Sequence, residues 1–192
     1  MELNKRIIDE QQIIDGCVRG ESWARKKIYE QYSSAMMSVC VRYVSDYETA
    51  RDLLQDGFIK LFTRTDTYSG TGSFAGWMRR IFVTTALEYL RRNDALKQSQ
   101  PIDECDNCFE SDDVTIPEKI RADDLMACIA QLPNGYRTVF NLYAIEGYSH
   151  QEIAGMLRIK EASSRSQFQR ARKILQDNVQ SLINEDHGKQ PK

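Results

Sequence analysis

A chain of 192 residues, 41% hydrophobic and 28% charged, has the length of one ordinary domain or two small ones and the composition of a charge-rich folded protein. With only four prolines and ten glycines, long helices are allowed, while no apolar run approaches membrane-spanning length and no apolar signal core opens the chain, so a cytoplasmic address is expected. The net charge of −2 argues against a uniform attraction to nucleic acid, but that sum conceals an uneven distribution.

Residues from about 8 to 92 read as helical throughout. Ile13, Ile14, Cys17 and Val18 mark a short opening helix, and Gly20-Glu21-Ser22 breaks it and caps the next. The spacing of Ile28, Tyr32, Ala35, Met36, Val39, Cys40 and Tyr43 predicts a second helix from about Trp23 to Val44. Asp46 starts a third, with Ala50, Leu53, Leu54, Phe58, Leu61 and Phe62 inward. Thr63 to Gly72, rich in Thr, Ser and Gly, reads as a loop. Ser73 caps a fourth helix that runs through Trp77, Ile81 and Leu87 to Arg92. Four helices sharing one apolar interior make a small bundle.

Residues 93 to about 117 lack a periodic apolar stripe and carry dense negative charge. Pro101 to Asp124 holds nine acidic residues (Asp103, Glu104, Asp106, Glu110, Asp112, Asp113, Glu118, Asp123, Asp124) against Lys119 and Arg121. Such a stretch cannot offset the entropy of ordering, and it reads as a tether. It contains Cys105-Asp-Asn-Cys108, a metal or redox spacing. The pair is single, His150 and His187 are distant, and acidic surroundings disfavour a low thiol pKa, so no metal or cofactor is assigned. Cys17, Cys40 and Cys128 fall in helical apolar patterns and read as packing residues.

From about 118 to 184 the pattern is helical again. Ile120, Leu125, Ile129 and Leu132 mark one helix, Pro133-Asn134-Gly135 reads as a turn, and Tyr136, Val139, Phe140 and Tyr143 mark the next. Ser149 and Glu152 have capping-box spacing, with Ile153, Ala154 and Leu157 as the inner stripe of the helix they start. Arg158-Ile159-Lys160 is a turn, with Ile159 plugging the gap, and a second helix follows from about Glu161 with Phe168, Ala171 and Leu175 inward. His150 is expected on the outer face, as a surface or phosphate contact. Arg158 to Lys173 holds six basic residues (Arg158, Lys160, Arg165, Arg170, Arg172, Lys173) against Glu161 alone. A helix-turn-helix whose basic second helix presents Ser163, Arg165, Ser166, Gln169 and Arg170 is suited to base edges and phosphates in a major groove of duplex DNA. The acidic total suggests weak affinity for DNA by the free chain and a partner that supplies further contacts.

Three blocks in order resemble the extracytoplasmic-function sigma factors, the smallest members of the main bacterial sigma family: Asp52-Leu-Leu-Gln-Asp-Gly-Phe-Ile-Lys-Leu-Phe62; Gly72-Ser-Phe-Ala-Gly-Trp-Met-Arg-Arg-Ile81 with Leu87-Glu-Tyr-Leu-Arg-Arg92; and Leu132-Pro133, Gly147-Tyr-Ser-His-Gln-Glu-Ile-Ala154 and Ser166-Gln-Phe-Gln-Arg-Ala-Arg172. The resemblance covers about residues 10–180. It implies an all-α fold of two small helical domains, sigma region 2 at 8–92 and sigma region 4 at 118–184, joined by an acidic linker at 93–117. The implied activity is that of a transcription initiation factor, not an enzyme: binding core RNA polymerase, directing it to promoter DNA and helping to hold the strands apart.

By resemblance, Asp52, Gln55 and Asp56 face the polymerase. Asp66, Thr67, Tyr68 and Ser69 belong to a loop that grips a flipped base, with Tyr68 able to stack. Trp77, Arg79, Arg80 and Thr84 lie near melted DNA, and Arg91 and Arg92 meet phosphates. Lys160, Ser163, Arg165, Ser166, Gln169, Arg170 and Lys173 meet the upstream promoter element. An anti-sigma protein is implied as a further partner. Thr84 stands where the family usually has asparagine, Arg158 and Lys160 where glycine and serine are usual, and Ala162 where glycine is common. Two other readings compete: a stand-alone DNA-binding regulator, which would bind duplex tightly without polymerase, and a redox enzyme built on the cysteine pair. The acidic balance and the first-domain motifs oppose the former. No nucleophile–base constellation or phosphate-cradling glycine loop supports the latter.

Overall fold

The computed structural model describes residues 9–93 and 121–188, with side chains as far as residue 184. The chain divides into two compact units, 1–89 and 90–192, the division falling in the last turn of a helix. The predicted tether, Ile120 and the Cys105–Cys108 pair lie outside the described residues. No strand occurs among the described residues, so the all-α expectation holds.

The first unit contains α1 (Glu10–Val18), α2 (Ser22–Val44), α3 (Tyr47–Thr63), a 3-10 turn (Thr65–Thr67) and α4 (Phe74–Arg92). Gly20, at φ +78°, makes the break after α1, a conformation that disfavours any residue with a Cβ. Asp46 caps α3 by accepting a hydrogen bond from the Thr49 amide at 2.8 Å. Ser73 caps α4, its Oγ accepting from the Gly76 amide at 3.1 Å. The interior is filled by Ile28, Val39, Tyr43, Leu53, Leu61, Phe74, Met78, Phe82 and Leu87. Its closest approach is at Gly57, where an added Cβ would lie 2.4 Å from the Phe82 ring. Cys40 is sealed in this interior, and burial pushes its thiol pKa up to about 12.

One expectation for this unit is corrected: Ala35, placed in the core stripe of α2, faces outward. Val18 closes α1 as expected and is 52% exposed. On α4 the inward row is Phe74, Met78, Phe82 and Val83, whereas Trp77 and Ile81 flank it, half-buried. The register follows from Phe82, which fills the space that Gly57 leaves.

The second unit contains α5 (Ala122–Gln131), α6 (Asn134–Phe140) continued by a π turn (Asn141–Ile145), α7 (His150–Leu157) and α8 (Glu161–Gly188). Cys128, Ile129, Leu132, Tyr136, Ala171 and Leu175 form its interior, with Leu125, Phe140, Ile174 and Val179 packed around them. Pro133-Asn134-Gly135 is not a free turn: α6 starts at Asn134, and Gly135 and Tyr136 are buried in its first turn. The cause is Arg137, only 4% exposed. Its Nη1 donates to the Ala130 carbonyl at 2.7 Å and the Leu132 carbonyl at 3.3 Å, and its Nη2 donates to Asn134 Oδ1 at 2.6 Å. The guanidinium thereby satisfies the end of α5 and clamps the start of α6. Burial pulls the Arg137 pKa down from its usual value.

Candidate nucleic-acid and polymerase interfaces

On α3, Leu53, Leu54, Phe58 and Leu61 point inward, which leaves Asp52, Gln55 and Asp56 together on the exposed side. Ile59 shares that stripe at three- and four-residue spacing and is 62% exposed. Sequence reasoning missed it, although an aliphatic residue on the polar face was a readable signal. Two carboxylates and a carboxamide beside an exposed aliphatic side chain can pair with cations while covering apolar surface on a partner. Beside this stripe, Tyr29 of α2 packs on Phe58 with ring centroids 4.8 Å apart.

The loop after α3 is built from its own hydrogen bonds. Thr65 Oγ1 donates to the Leu61 carbonyl at 2.9 Å, and Thr67 Oγ1 to the Arg64 carbonyl at 2.7 Å. The Tyr68 hydroxyl donates to the Gly72 carbonyl at 2.8 Å and so closes the loop on itself. Its ring packs 5.3 Å from Phe74 and 5.4 Å from Trp77. Tyr68 is therefore half-buried in a three-ring cluster, and Trp77 is its neighbour. Asp66, Thr67 and Ser69 remain exposed, with Ser69 Oγ bonded to Thr71 Oγ1.

Along α4, Arg80 and Arg92 are exposed, and Arg79, Thr84 and Arg91 are half-buried. The Thr84 hydroxyl donates to the Arg80 carbonyl at 2.8 Å, so it offers outward a methyl group and oxygen lone pairs. Lys60 Nζ to Glu88 Oε2, at 2.6 Å, ties α3 to α4. Arg91 and Arg92 occupy the last turn, where the helix dipole favours cations.

In the second unit the capping box forms as the spacing predicts. The Ser149 amide donates to Glu152 Oε2 at 2.8 Å, and the Glu152 amide donates to Ser149 Oγ at 3.2 Å. The turn between α7 and α8 passes through Arg158 in the left-handed region, at φ 57°. His150 does not lie on the outer face as expected. Its ring stacks on Tyr143 at 4.3 Å and 11°, and its Nδ1 lies 3.0 Å from Oγ of the fully buried Ser164. It joins the N-terminus of α7 to α8. Burial pulls its pKa down, the nearby Arg165 charge adds to this, and Glu161 opposes it.

On α8, Lys160, just before the helix, Arg165, Ser166 and Lys173 are exposed; Ser163, Gln169 and Arg170 are half-buried. Arg165 Nη2 pairs with Glu161 Oε1, one turn back. Arg170 Nη1 reaches the Tyr136 hydroxyl at 3.4 Å, so its guanidinium leans toward α6. The fold thus presents most of the predicted α8 set on one accessible side and turns Arg170 partly inward.

Known proteins match both units. The model of sigma-70 region 2 matches residues 28–96, and that of sigma-70 region 4 matches residues 122–175. The RNA polymerase sigma-H factor of Pseudomonas aeruginosa is 30% identical over 186 residues, covering 92% of this chain and 96% of that protein. The chain belongs to the extracytoplasmic-function group of the sigma-70 family. The ECF RNA polymerase sigma-E factor of Escherichia coli strain K12 is 28% identical over 187 residues, covering 92% of this sigma factor and 97% of the relative. Among solved structures, the sigma factor RpoE of Bartonella quintana, in a co-crystal with the anti-sigma factor NepR, shares the fold with a TM-score of 0.50 at 19% identity, over 81% of this chain and 96% of that one. This sigma factor directs RNA polymerase in transcription initiation and is not an enzyme. No helix among the described residues is long and apolar enough to cross a membrane.

Proposed function

We propose that the two units divide the work of initiation in the cytoplasm. Residues 8–92 bind core polymerase through Asp52, Gln55, Asp56 and the exposed Ile59. The same unit handles the melted element through Asp66, Thr67 and Ser69 of the loop and through Arg79, Arg80, Thr84, Arg91 and Arg92 of α4. Tyr68 and Trp77 act chiefly by holding that loop in shape, and Trp77 also offers a half-buried ring edge to a base. Residues 118–184 read the upstream element through Lys160, Ser163, Arg165, Ser166, Gln169, Arg170 and Lys173. Residues 93–117 tether the two, and linking two weak binders raises the effective concentration of each for its site. An anti-sigma protein is a further partner; the Bartonella sigma factor forms a complex with one.

The observation that carries the reading is the exposed basic side of α8, held behind a capped α7 in helix-turn-helix order. Pull-down with bacterial core RNA polymerase followed by run-off transcription on genomic fragments tests the whole. Stable binding and promoter-selective transcripts are expected. Arg165→Ala should weaken upstream-element binding by a factor corresponding to about 1–3 kcal/mol while polymerase binding stays intact. Loss of polymerase binding in that variant would contradict the assignment.

A further inference from the structure

His150 opens α7, the first helix of the helix-turn-helix, and in that motif the first helix crosses the phosphate backbone of the duplex. Its ring is half-buried. One face stacks on Tyr143, Phe168 meets it edge-on at 5.8 Å, and Nδ1 is bound to the buried Ser164 hydroxyl. That joint accounts for the inner edge of the ring alone. Nε2, at the opposite edge, makes no hydrogen bond among the described residues. Helix stability does not call for a histidine here either, because a group that can turn cationic stands at the unfavourable end of the helix dipole. The charge of Arg165 acts on the ring, which puts His150 on the side of α8 that carries the predicted DNA contacts. The other charged and titratable groups facing it are Glu161 of α8 and Tyr143 of the π turn, while Glu152 of its own helix is bonded back to Ser149.

We propose that His150 is a contact to the DNA backbone, its Nε2 edge donating to a phosphate oxygen, and that it takes up a proton from solvent as the upstream element binds. A hydroxyl both donates and accepts, so Ser164 can meet Nδ1 whether the ring is neutral or charged. The joint therefore survives protonation, and the new charge appears on a ring whose position is already fixed. Without DNA, burial and the Arg165 charge oppose that proton. A phosphate beside the ring favours it, so binding and proton uptake strengthen each other. DNA affinity then rises as pH falls, opposite in sign to the effect of the same residue on stability. The inference rests on the reading of α8 as the DNA-facing helix.

The test uses holoenzyme reconstituted from the full chain and core polymerase, with a labelled duplex carrying the upstream element of a promoter found by run-off transcription. Affinity is measured over a salt series from about pH 8 to about pH 6, the range in which histidine titrates. Wild-type affinity should rise by about fivefold as pH falls, the scale of one surface ion pair. The salt slope should be steeper at the acid end by about one contact. In His150→Gln, which can hydrogen-bond but does not titrate, that rise should vanish. His150→Phe, which keeps an aromatic stack on Tyr143, should lose it as well. Both variants also subtract any titration by polymerase or by His187, the other histidine of the chain. Arg165→Ala should weaken binding at every pH and leave the rise in place. A flat wild-type profile, or one no steeper than that of either variant, overturns the inference, and it leaves the α8 reading standing as long as Arg165→Ala impairs binding. If Arg165→Ala changes nothing, the α8 reading fails and the inference with it.

Discussion

The two units solve the problem of positioning a surface in different ways. The first has long helices and an aromatic interior, in which Phe58 and Phe82 meet edge to face at 5.1 Å and Phe82 seats against bare backbone at Gly57. The second has shorter helices ahead of α8 and a smaller interior. It fixes its corners with polar joints: Arg137 between α5 and α6, the Ser149–Glu152 box at the start of α7, and His150 to Ser164 between α7 and α8. Where apolar area is ample, shape sets the geometry. Where it is scarce, directional hydrogen bonds set the angles at which the helices meet. The second unit should therefore answer to polar substitutions and to pH, and the first to volume.

Arg137→Met breaks the comparison most sharply. It keeps much of the stem but removes the donor to the buried Leu132 carbonyl and a donor to the part-buried Ala130 carbonyl, and a buried group left unsatisfied costs about 1–3 kcal/mol. Hydrogen exchange should show α5 and α6 opening while α2 and α3 keep their protection. Gly57→Ala is the converse test. Overpacking against the fully buried Phe82 costs about 1–3 kcal/mol, offset by up to ~1 kcal/mol of helix propensity. Both tryptophans, Trp23 and Trp77, lie in the first unit, so their fluorescence in a denaturant titration should report that loss. Equal destabilisation of both units by either variant would remove the distinction.

Ser149→Ala should cost about 1 kcal/mol, the usual worth of an N-cap, read as faster exchange in the first turn of α7. The smallest effect concerns His150. Its folded pKa lies below the ordinary 6.5, so the unfolded chain takes up a proton first as pH falls. The stability it contributes is full above about pH 6.5 and declines toward the lower folded pKa. The second unit should therefore weaken between pH 7.5 and 5.5, and His150→Asn should flatten that dependence. A slope that survives the substitution would place its origin elsewhere.

The local devices were legible in the sequence. The capping box, the Asp46 and Ser73 caps and the break at Gly20 each depend on residues a few positions apart. The stripes on α2 and α3 were mostly legible too, because they repeat. What escaped was set by partners far along the chain. The inward row of α4 was not legible because Trp77 and Ile81 are as apolar as Met78 and Phe82, and only the gap at Gly57 decides between the rows. Asn134-Gly135 carries turn chemistry, yet the Arg137 guanidinium draws both into a helix. His150 was assigned to the surface because Tyr143 and Ser164 find it only in three dimensions. At the candidate interfaces, residue types and faces were readable. The self-closure of Tyr68, the inward lean of Arg170 and the hold of Glu161 on Arg165 are matters of rotamer.

Among the described residues, two other than glycine adopt left-handed backbone, Ser45 after α2 and Arg158 after α7. For an L-residue this conformation costs about 1–2 kcal/mol, a strain that glycine lacks. The sites are not equivalent as targets for engineering. Glycine at Ser45 would relieve that strain while leaving every proposed contact in place. Glycine at Arg158 would relax the turn at the same time as it stripped a cation from the doorway of the recognition helix. Backbone strain and local charge are thus separable at one helix end and locked together at the other.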